Sequence, residues 1–235
     1  MGGLGTRFSV AGYDKPKPLI EFLGKPMIRH VVENLGLHNH YTICLQQSVY
    51  EMDKPLFDYL AKQVKKMEYV FMNGLSEGPA STCLLAKHLI DHRQMLIIAN
   101  CDQIMEWNQT RFEKWFYNKD NFYTGAIFTF PNDGNHLSYA AINEKGLVTK
   151  TAEKEIISKH ATTGIYVFDQ GHDFVWAAEQ MIAKNIRAPN REFYVAPVYN
   201  ELIECGLRIA IYDDIKHYPI GTPVDLQEFI KKNTL

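Results

Sequence analysis

The chain reads as an α/β fold, a mixed and mainly parallel sheet with flanking helices followed by a small antiparallel lobe. Three observations predict it. Short apolar runs rich in β-branched residues alternate with longer amphipathic stretches, the pattern of parallel strands joined by crossover helices. Pro26, Pro79 and Pro223 each stand where a helical pattern begins, a place where a missing N–H has no intrahelical partner to lose. From residue 137 two short runs flank the polar turn Asn143, Glu144, Lys145 and Gly146, which reads as a hairpin.

In order, the first half predicts strands over 41–46, 67–72, 95–99 and 123–130, each short and apolar enough for a sheet covered on both faces. Helices fit between them, the first running from Pro26 to a stop at Gly36. The second half predicts hairpin strands over 137–142 and 147–151, then a strand over 163–168 and a helix over 173–184. A second helix over 193–205 ending at Gly206, a strand over 207–212 and a closing helix over 223–232 complete the expectation. No repeat, low-complexity tract or long Gly/Ser linker interrupts the chain, so one domain over 1–235 is expected, with halves 1–135 and 136–235.

The composition narrows the function classes. With 46% hydrophobic and 22% charged residues the 235-residue chain is an ordinary globular sequence. Its 25 Lys and Arg against 27 Asp and Glu leave a net charge of -2, so no uniform basic field is available for nucleic acid. Cys44, Cys83, Cys101 and Cys205 form no C-x-x-C pair and have no His at zinc-site spacing, which argues against a disulfide framework or structural metal and points to a reducing cytoplasm. No apolar run approaches the ~20 residues that span a bilayer, and no signal-peptide pattern opens the sequence, so no membrane partner is expected.

The strongest chemical signal is the stretch Gly2, Gly3, Leu4, Gly5, Thr6 and Arg7. Closely spaced glycines let backbone amides converge on phosphate oxygens that a Cβ would obstruct. A P-loop would continue into Gly-Lys-Ser/Thr, and a dinucleotide fingerprint would want Gly or Ala where Phe8 stands, so both readings fail. Ten residues after Arg7 comes a second cation, Lys17, within reach of the same phosphates. Arg7 and Lys17 together would neutralise a triphosphate, although Arg7 alone could be a solvated loop cation.

This order of motifs resembles the sugar-phosphate nucleotidyltransferases. Their pattern G-G-x-G-T-R, P-K-P-L and G-K-P-M stands here as Gly2 to Arg7, Pro16 to Leu19 and Gly24 to Met27. Weaker matches follow at Glu77 to Ala80, Asn100 to Gln103, Glu153-Lys154, Thr163 to Tyr166 and Gly221 to Pro223. The resemblance implies a Rossmann-like sheet with a sugar-binding lobe. It also implies transfer of a nucleotidyl group from a nucleoside triphosphate to a sugar 1-phosphate or similar small phosphorylated acceptor, with Mg²⁺ (or Mn²⁺) on the phosphates and Arg7, Lys17 and Asp102 as catalytic residues. Such transfer rests on positioning and charge stabilisation.

Further roles follow from the resemblance, each beside a plainer reading. Gly78 would let a nucleobase approach the backbone, with Asn73 and Ala80 in the same nucleotide-binding stretch, or the segment simply caps a helix. Asp102, at the end of an apolar run, would hold the metal, or it caps a turn. Lys154 would hold the acceptor's phosphate and Glu153 its hydroxyls, or the pair is a solvated strand edge. Tyr139, Thr163, Gly164 and Glu192 are further acceptor candidates, Tyr139 being equally suited to the core. The aromatic cluster from Trp107 to Tyr117 is read as helix packing.

Two departures stand out. Pro219 occupies the position where the family offers a second metal carboxylate, so Asp213, Asp214 or phosphate oxygens and water would have to complete the shell. Met1 also falls inside the glycine motif, where the family has a preceding apolar strand, so the first strand is expected to be missing from this sequence. Assembly of the chain with copies of itself is left open. Two rival functions share the glycine loop: a cytidylyltransferase acting on a non-sugar phosphate, and a catalytically silent nucleotide-binding domain.

Overall fold

The computed structural model describes residues 5–36, 38–134 and 137–234; Gly2, Gly3 and Leu4 lie outside the described residues. The chain packs as two compact units, one of residues up to 75 with 100–105 and 217 onward, the other of 76–99 with 106–216. The halves expected from the sequence divide near residue 135, inside the second unit.

In the first unit His40–Gln46 and Lys66–Met72 pair in parallel, from His40 opposite Lys66 to Gln46 opposite Met72. Helix Met27–Leu35 buries Met27, Ile28, Val31 and Val32, an i, i+1, i+4, i+5 stripe, and stops at Gly36 with φ +105°. Ile28 and Val32 pack with Leu19, Ile43, Leu45, Phe57 and Leu60 as one core. Helix Lys54–Gln63 is capped by Asp53, whose carboxylate accepts the Leu56 N–H at 3.2 Å. Pro26 lies just outside its helix, extended at ψ 148°, because it belongs to the short antiparallel pair of Glu21–Phe22 with Lys25–Pro26. Leu23 and Gly24, both with positive φ (46° and 77°), make the tight reversal between those strands. The Gly24 of the G-K-P-M match is therefore required by a turn.

The second unit is built on a mixed sheet. His160–Phe168 runs through its centre, antiparallel to Gly125–Pro131 on one side and to Leu96–Ala99 and Ser138–Ile142. Ser138–Ile142 forms the expected hairpin with Val148–Glu153, and Ile209–Tyr212 lies parallel to Gly125–Pro131. Antiparallel pairing thus dominates here, where a mainly parallel sheet was expected. His160–Phe168 is buried along nearly its whole length because it is central and covered, and a run of buried apolar residues does not encode strand direction. Its register with Gly125–Pro131 shifts between Thr162 and Tyr166, and Gly164 sits in that bulge with φ +86°.

Helix Gln109–Phe116 brings Phe112 and Phe116 into a cluster with Trp107, Phe128 and Tyr212, the packing role read from the sequence. The helix expected over 193–205 is shorter, Val198–Glu204. Its first residues are diverted because the Phe193 N–H donates to the Glu77 carbonyl at 2.8 Å and its carbonyl accepts the Ala80 N–H at 2.9 Å. Pro197, which restricts the residue before it, then marks the helix start. Among the described residues no helix is long and apolar enough to cross a membrane.

Candidate functional site

In the first unit Lys17 opens the 3₁₀ turn Lys17–Leu19, pinned by the buried Pro18 and Leu19. Its Nζ lies 2.5 Å from Asp102 Oδ2 and donates to the Gly221 carbonyl at 3.0 Å. The Phe8 ring centroid is 5.6 Å from the same ammonium. Phe8 itself is buried with Ile20, Phe22, Met27, Ile220 and Leu226, which anchors the short helix after Gly5 to the core. Segments 85 and 204 residues away from Lys17 therefore converge on one cation.

Two glycines make that approach feasible. Gly5 has φ +61°, and a Cβ there would sit 3.4 Å from Lys17 Cβ. A Cβ at Gly221 would meet Asp102 Oδ2 at 3.1 Å and Lys17 Nζ at 3.7 Å. The Asp102 carbonyl accepts the Ile220 N–H at 3.0 Å, which ties the two segments by backbone as well. Thr6 and Arg7 begin the short helix Thr6–Val10 and are exposed. Among the described residues Arg7 makes no ion pair, so it is not part of the Lys17–Asp102 pairing.

His217 lies within electrostatic reach of Asp102 and Asp225; burial pushes its imidazole down to about 4 against the pull of those carboxylates. Asp225 is engaged in capping helix Pro223–Asn233. Its carboxylate accepts the Thr222 hydroxyl at 2.6 Å, and Thr222 Oγ1 accepts the Asp225 N–H at 3.2 Å. Of the substitutes expected for Pro219, Asp214 is taken up by a 2.6 Å ion pair with Arg111. Among the described residues no three His, Cys, Asp or Glu side chains cluster as metal ligands. A single carboxylate beside a glycine-made space still suits Mg²⁺, which binds through one or two carboxylates and fills its shell with phosphate oxygens and water.

At the end of Lys66–Met72, Asn73 is exposed, and the loop after it is held by Gln46. The Gln46 amide donates to the Gly74 carbonyl at 2.5 Å and accepts the Gly74 N–H at 3.4 Å.

In the second unit Gly78 has φ +130°, and a Cβ there would lie 2.5 Å from the Phe193 carbonyl oxygen. The backbone that approaches Gly78 closely is therefore the chain's own, where the expectation was a nucleobase. Ala80 is fully buried beside it and offers no surface, a second correction. Arg187 braces this clamp, 2.5 Å from Glu77 and with its guanidinium 3.9 Å over the Phe193 ring.

The acceptor candidates divide. Tyr139 is entirely buried and donates to the Gly134 carbonyl at 2.6 Å, so it is a core residue and is withdrawn from the site. Glu153 is buried and accepts a short hydrogen bond from Ser138. Burial pushes its carboxyl above the usual range, opposed by that hydroxyl. Thr163 is also buried, its hydroxyl accepting the Ile165 N–H, and Gly164 is covered in the bulge. Lys154 donates to the Tyr194 hydroxyl at 3.0 Å, and Asn190 joins the Tyr194 oxygen at 3.0 Å to Glu192 at 2.8 Å. Ser138, Asn190 and Tyr194 were not singled out from the sequence. Their adjacency to Glu192 and Tyr139 along the chain was the only signal.

The nucleotidyl transferase family profile matches residues 1–188. The chain is 26% identical over 181 residues to mannose-1-phosphate guanyltransferase beta-B of Xenopus laevis, covering 72% of this chain and 48% of that protein. It is 25% identical over 232 residues to the bifunctional protein GlmU of Methanococcus maripaludis, covering 95% of this chain and 51% of that one. The chain thus spans about half the length of the curated relatives it matches. Among solved structures, the nucleoside-diphosphate-sugar pyrophosphorylase of Vibrio cholerae RC9 superposes with a TM-score of 0.80 at 23% identity, covering 98% of both chains. A UDP-glucose pyrophosphorylase complexed with UDP-glucose gives 0.76 at 15% identity, covering 99% of this chain and 95% of the other; these likenesses speak for the fold. With more than half its length matched by the family profile, the chain belongs to the nucleotidyl transferase family.

Proposed function

We propose that this protein transfers a nucleotidyl group from a nucleoside triphosphate to a sugar 1-phosphate, releasing pyrophosphate and serving surface-polysaccharide or glycoconjugate synthesis in the cytoplasm. An oxygen of the acceptor phosphate attacks the α-phosphorus, the bond to the β-bridging oxygen breaks, and the pyrophosphate carries off the electron pair. No covalent intermediate with the protein is needed, so the chain's work is gripping and orienting charge. The observation that carries this reading is the 2.5 Å pair of Lys17 and Asp102 between Gly5 and Gly221.

Lys17 and Asp102 are each other's partner in this structure. A triphosphate offers the ammonium a more highly charged one, and the carboxylate it leaves becomes available to a hard cation. Arg7, exposed and unpaired among the described residues, supplies a second positive charge. Asp102, phosphate oxygens and water would hold Mg²⁺ or Mn²⁺, which neutralises charge on the phosphates. Lys154 and Glu153 belong to the acceptor, the first for its phosphate and the second for its hydroxyls.

The test is a matrix of the four nucleoside triphosphates against mannose 1-phosphate, glucose 1-phosphate and N-acetylglucosamine 1-phosphate, reading pyrophosphate release with and without Mg²⁺. Pyrophosphate from one pairing and a nucleotide-sugar in equal amount are expected. Nucleotide binding with no pyrophosphate from any pairing would instead identify a silent domain.

A further inference from the structure

We infer that Tyr194 is a positioning residue for the acceptor's phosphate, its phenol holding the Lys154 ammonium in place without neutralising it. The inference rests on the reading of Lys154 as the acceptor's phosphate ligand and adds the residue that makes the lysine fit for that task. Five other lysines, Lys15, Lys17, Lys25, Lys87 and Lys184, end on a carboxylate at 2.5 to 2.6 Å. Lys154 ends on a phenol, 3.0 Å from the Tyr194 oxygen and 5.0 Å from its ring centroid. Among the described residues it forms no salt bridge; the neighbouring Glu153 carboxylate feels its charge but takes its hydrogen bond from Ser138.

The backbone is shaped to deliver the lysine there. Lys154 directly follows strand Val148–Glu153 and has φ +58°, a region that L side chains rarely adopt, with its N–H donating to the Leu137 carbonyl at 2.8 Å. The tyrosine is fixed from its other side. Asn190 donates to its oxygen at 3.0 Å, so both acceptor positions of the phenol are used, and the Glu192 carboxylate hydrogen-bonds the same hydroxyl. Asn190 continues at 2.8 Å to Glu192. An ammonium without a direct ion pair, the phenol that holds it and a carboxylate beyond thus stand together. They suit a phosphate monoester whose carbon skeleton bears hydroxyls, the phosphate on Lys154 and a hydroxyl on Glu192. A carboxylate in place of Tyr194 would cancel the charge and repel the ligand.

Titration calorimetry on the full chain tests this with mannose 1-phosphate and inorganic phosphate as probes and free mannose as the control. Tyr194→Phe keeps the ring under the ammonium and removes only the oxygen. It is expected to weaken both phosphate probes about tenfold, the loss of one hydrogen bond to a charged group, while nucleoside triphosphate binding is unchanged. Asn190→Ala, at an exposed position, is expected to weaken them by a smaller factor because the lysine contact survives. Unchanged phosphate affinity in Tyr194→Phe overturns the inference. So does an equal weakening of triphosphate binding, which marks a general structural defect, or a wild-type chain that binds neither phosphate probe at millimolar concentration. Where pyrophosphate is released, Tyr194→Phe should raise the acceptor KM and leave the triphosphate KM alone. Phosphate binding that depends on Tyr194 in a protein releasing no pyrophosphate would defeat the proposed function and leave this inference standing.

Discussion

Replacing Lys17 by Met separates charge from packing at the centre of the proposed site. The methionine keeps an unbranched stem against Gly5 and Phe8 and removes the ammonium. The lost pair is only partly buried, with side-chain exposures of 19% for Lys17 and 28% for Asp102. Asp102 can therefore rehydrate when its partner goes, and the folding cost stays near 1 kcal/mol, as for pairs with access to water. A preorganised cation facing charge that develops in a transition state is worth roughly 3 to 4 kcal/mol, or about 10²- to 10³-fold in turnover. Pyrophosphate release and urea unfolding on the same preparation read the two quantities. The double variant Lys17→Met with Asp102→Asn sharpens the result, since removing both charges restores most of the stability and none of the activity if the pair serves catalysis. Turnover within threefold of wild type, or a stability loss as large as the activity loss, would refute the reasoning.

Three shorter predictions follow from the same geometry. Gly78→Ala places a Cβ 2.5 Å from one Phe193 backbone atom and 2.6 Å from another at φ +130°, so it should cost about 3 kcal/mol in urea unfolding, whatever its effect on nucleotide binding. His217, pushed by burial from 6.5 to about 4, is neutral in the fold while the unfolded chain takes up a proton first. Its contribution to stability is full above pH 6.5 and falls by up to about 3 kcal/mol as pH drops to 4, a slope that His217→Asn should remove from thermal unfolding measured across that range. The Glu153 carboxyl is raised by burial, so its charged form is disfavoured in the fold and stability falls as pH rises from the unfolded value of 4.5 through the folded one. Glu153→Gln should therefore be more stable than wild type by a margin that grows over that window, while the acceptor KM rises about tenfold; a variant less stable at neutral pH would contradict this.

Much of the framework was legible because its signals are local. Pro79 and Pro223 start helices, Gly36 ends one, and Asn143 to Gly146 joins a hairpin, each through a backbone constraint that a residue carries wherever it sits. Strand direction was not legible, since Leu96–Ala99 is equally apolar whether its neighbour runs with it or against it. The helix over 193–205 failed for a related reason: Phe193 spends its backbone bonds on residues more than a hundred positions earlier, and no local periodicity records that. Gly78 illustrates how a correct glycine can carry an incorrect reason. The need for a residue without a Cβ was visible, but what presses against it is Phe193. Tyr139 lies in a strand whose first three residues are all buried, so no alternation of polar and apolar positions marked which face it takes.

The two lysines at the heart of the proposal differ in their resting partners, and the difference fits the charge of what each is to bind. A triphosphate brings several negative charges to Lys17, enough to compete with Asp102, and the carboxylate so released gains a use in holding a cation. A phosphate monoester brings about two charges at neutral pH, a weaker competitor for an ammonium already closed on a carboxylate. At Lys154 the resting partner is instead the neutral oxygen of Tyr194. The ligand then displaces no ion pair at the ammonium. Exchanging the arrangement, by Tyr194→Glu, should close Lys154 as Lys17 is closed and weaken mannose 1-phosphate more than Tyr194→Phe does; equal affinity in the two variants would show that the charge of the partner is immaterial.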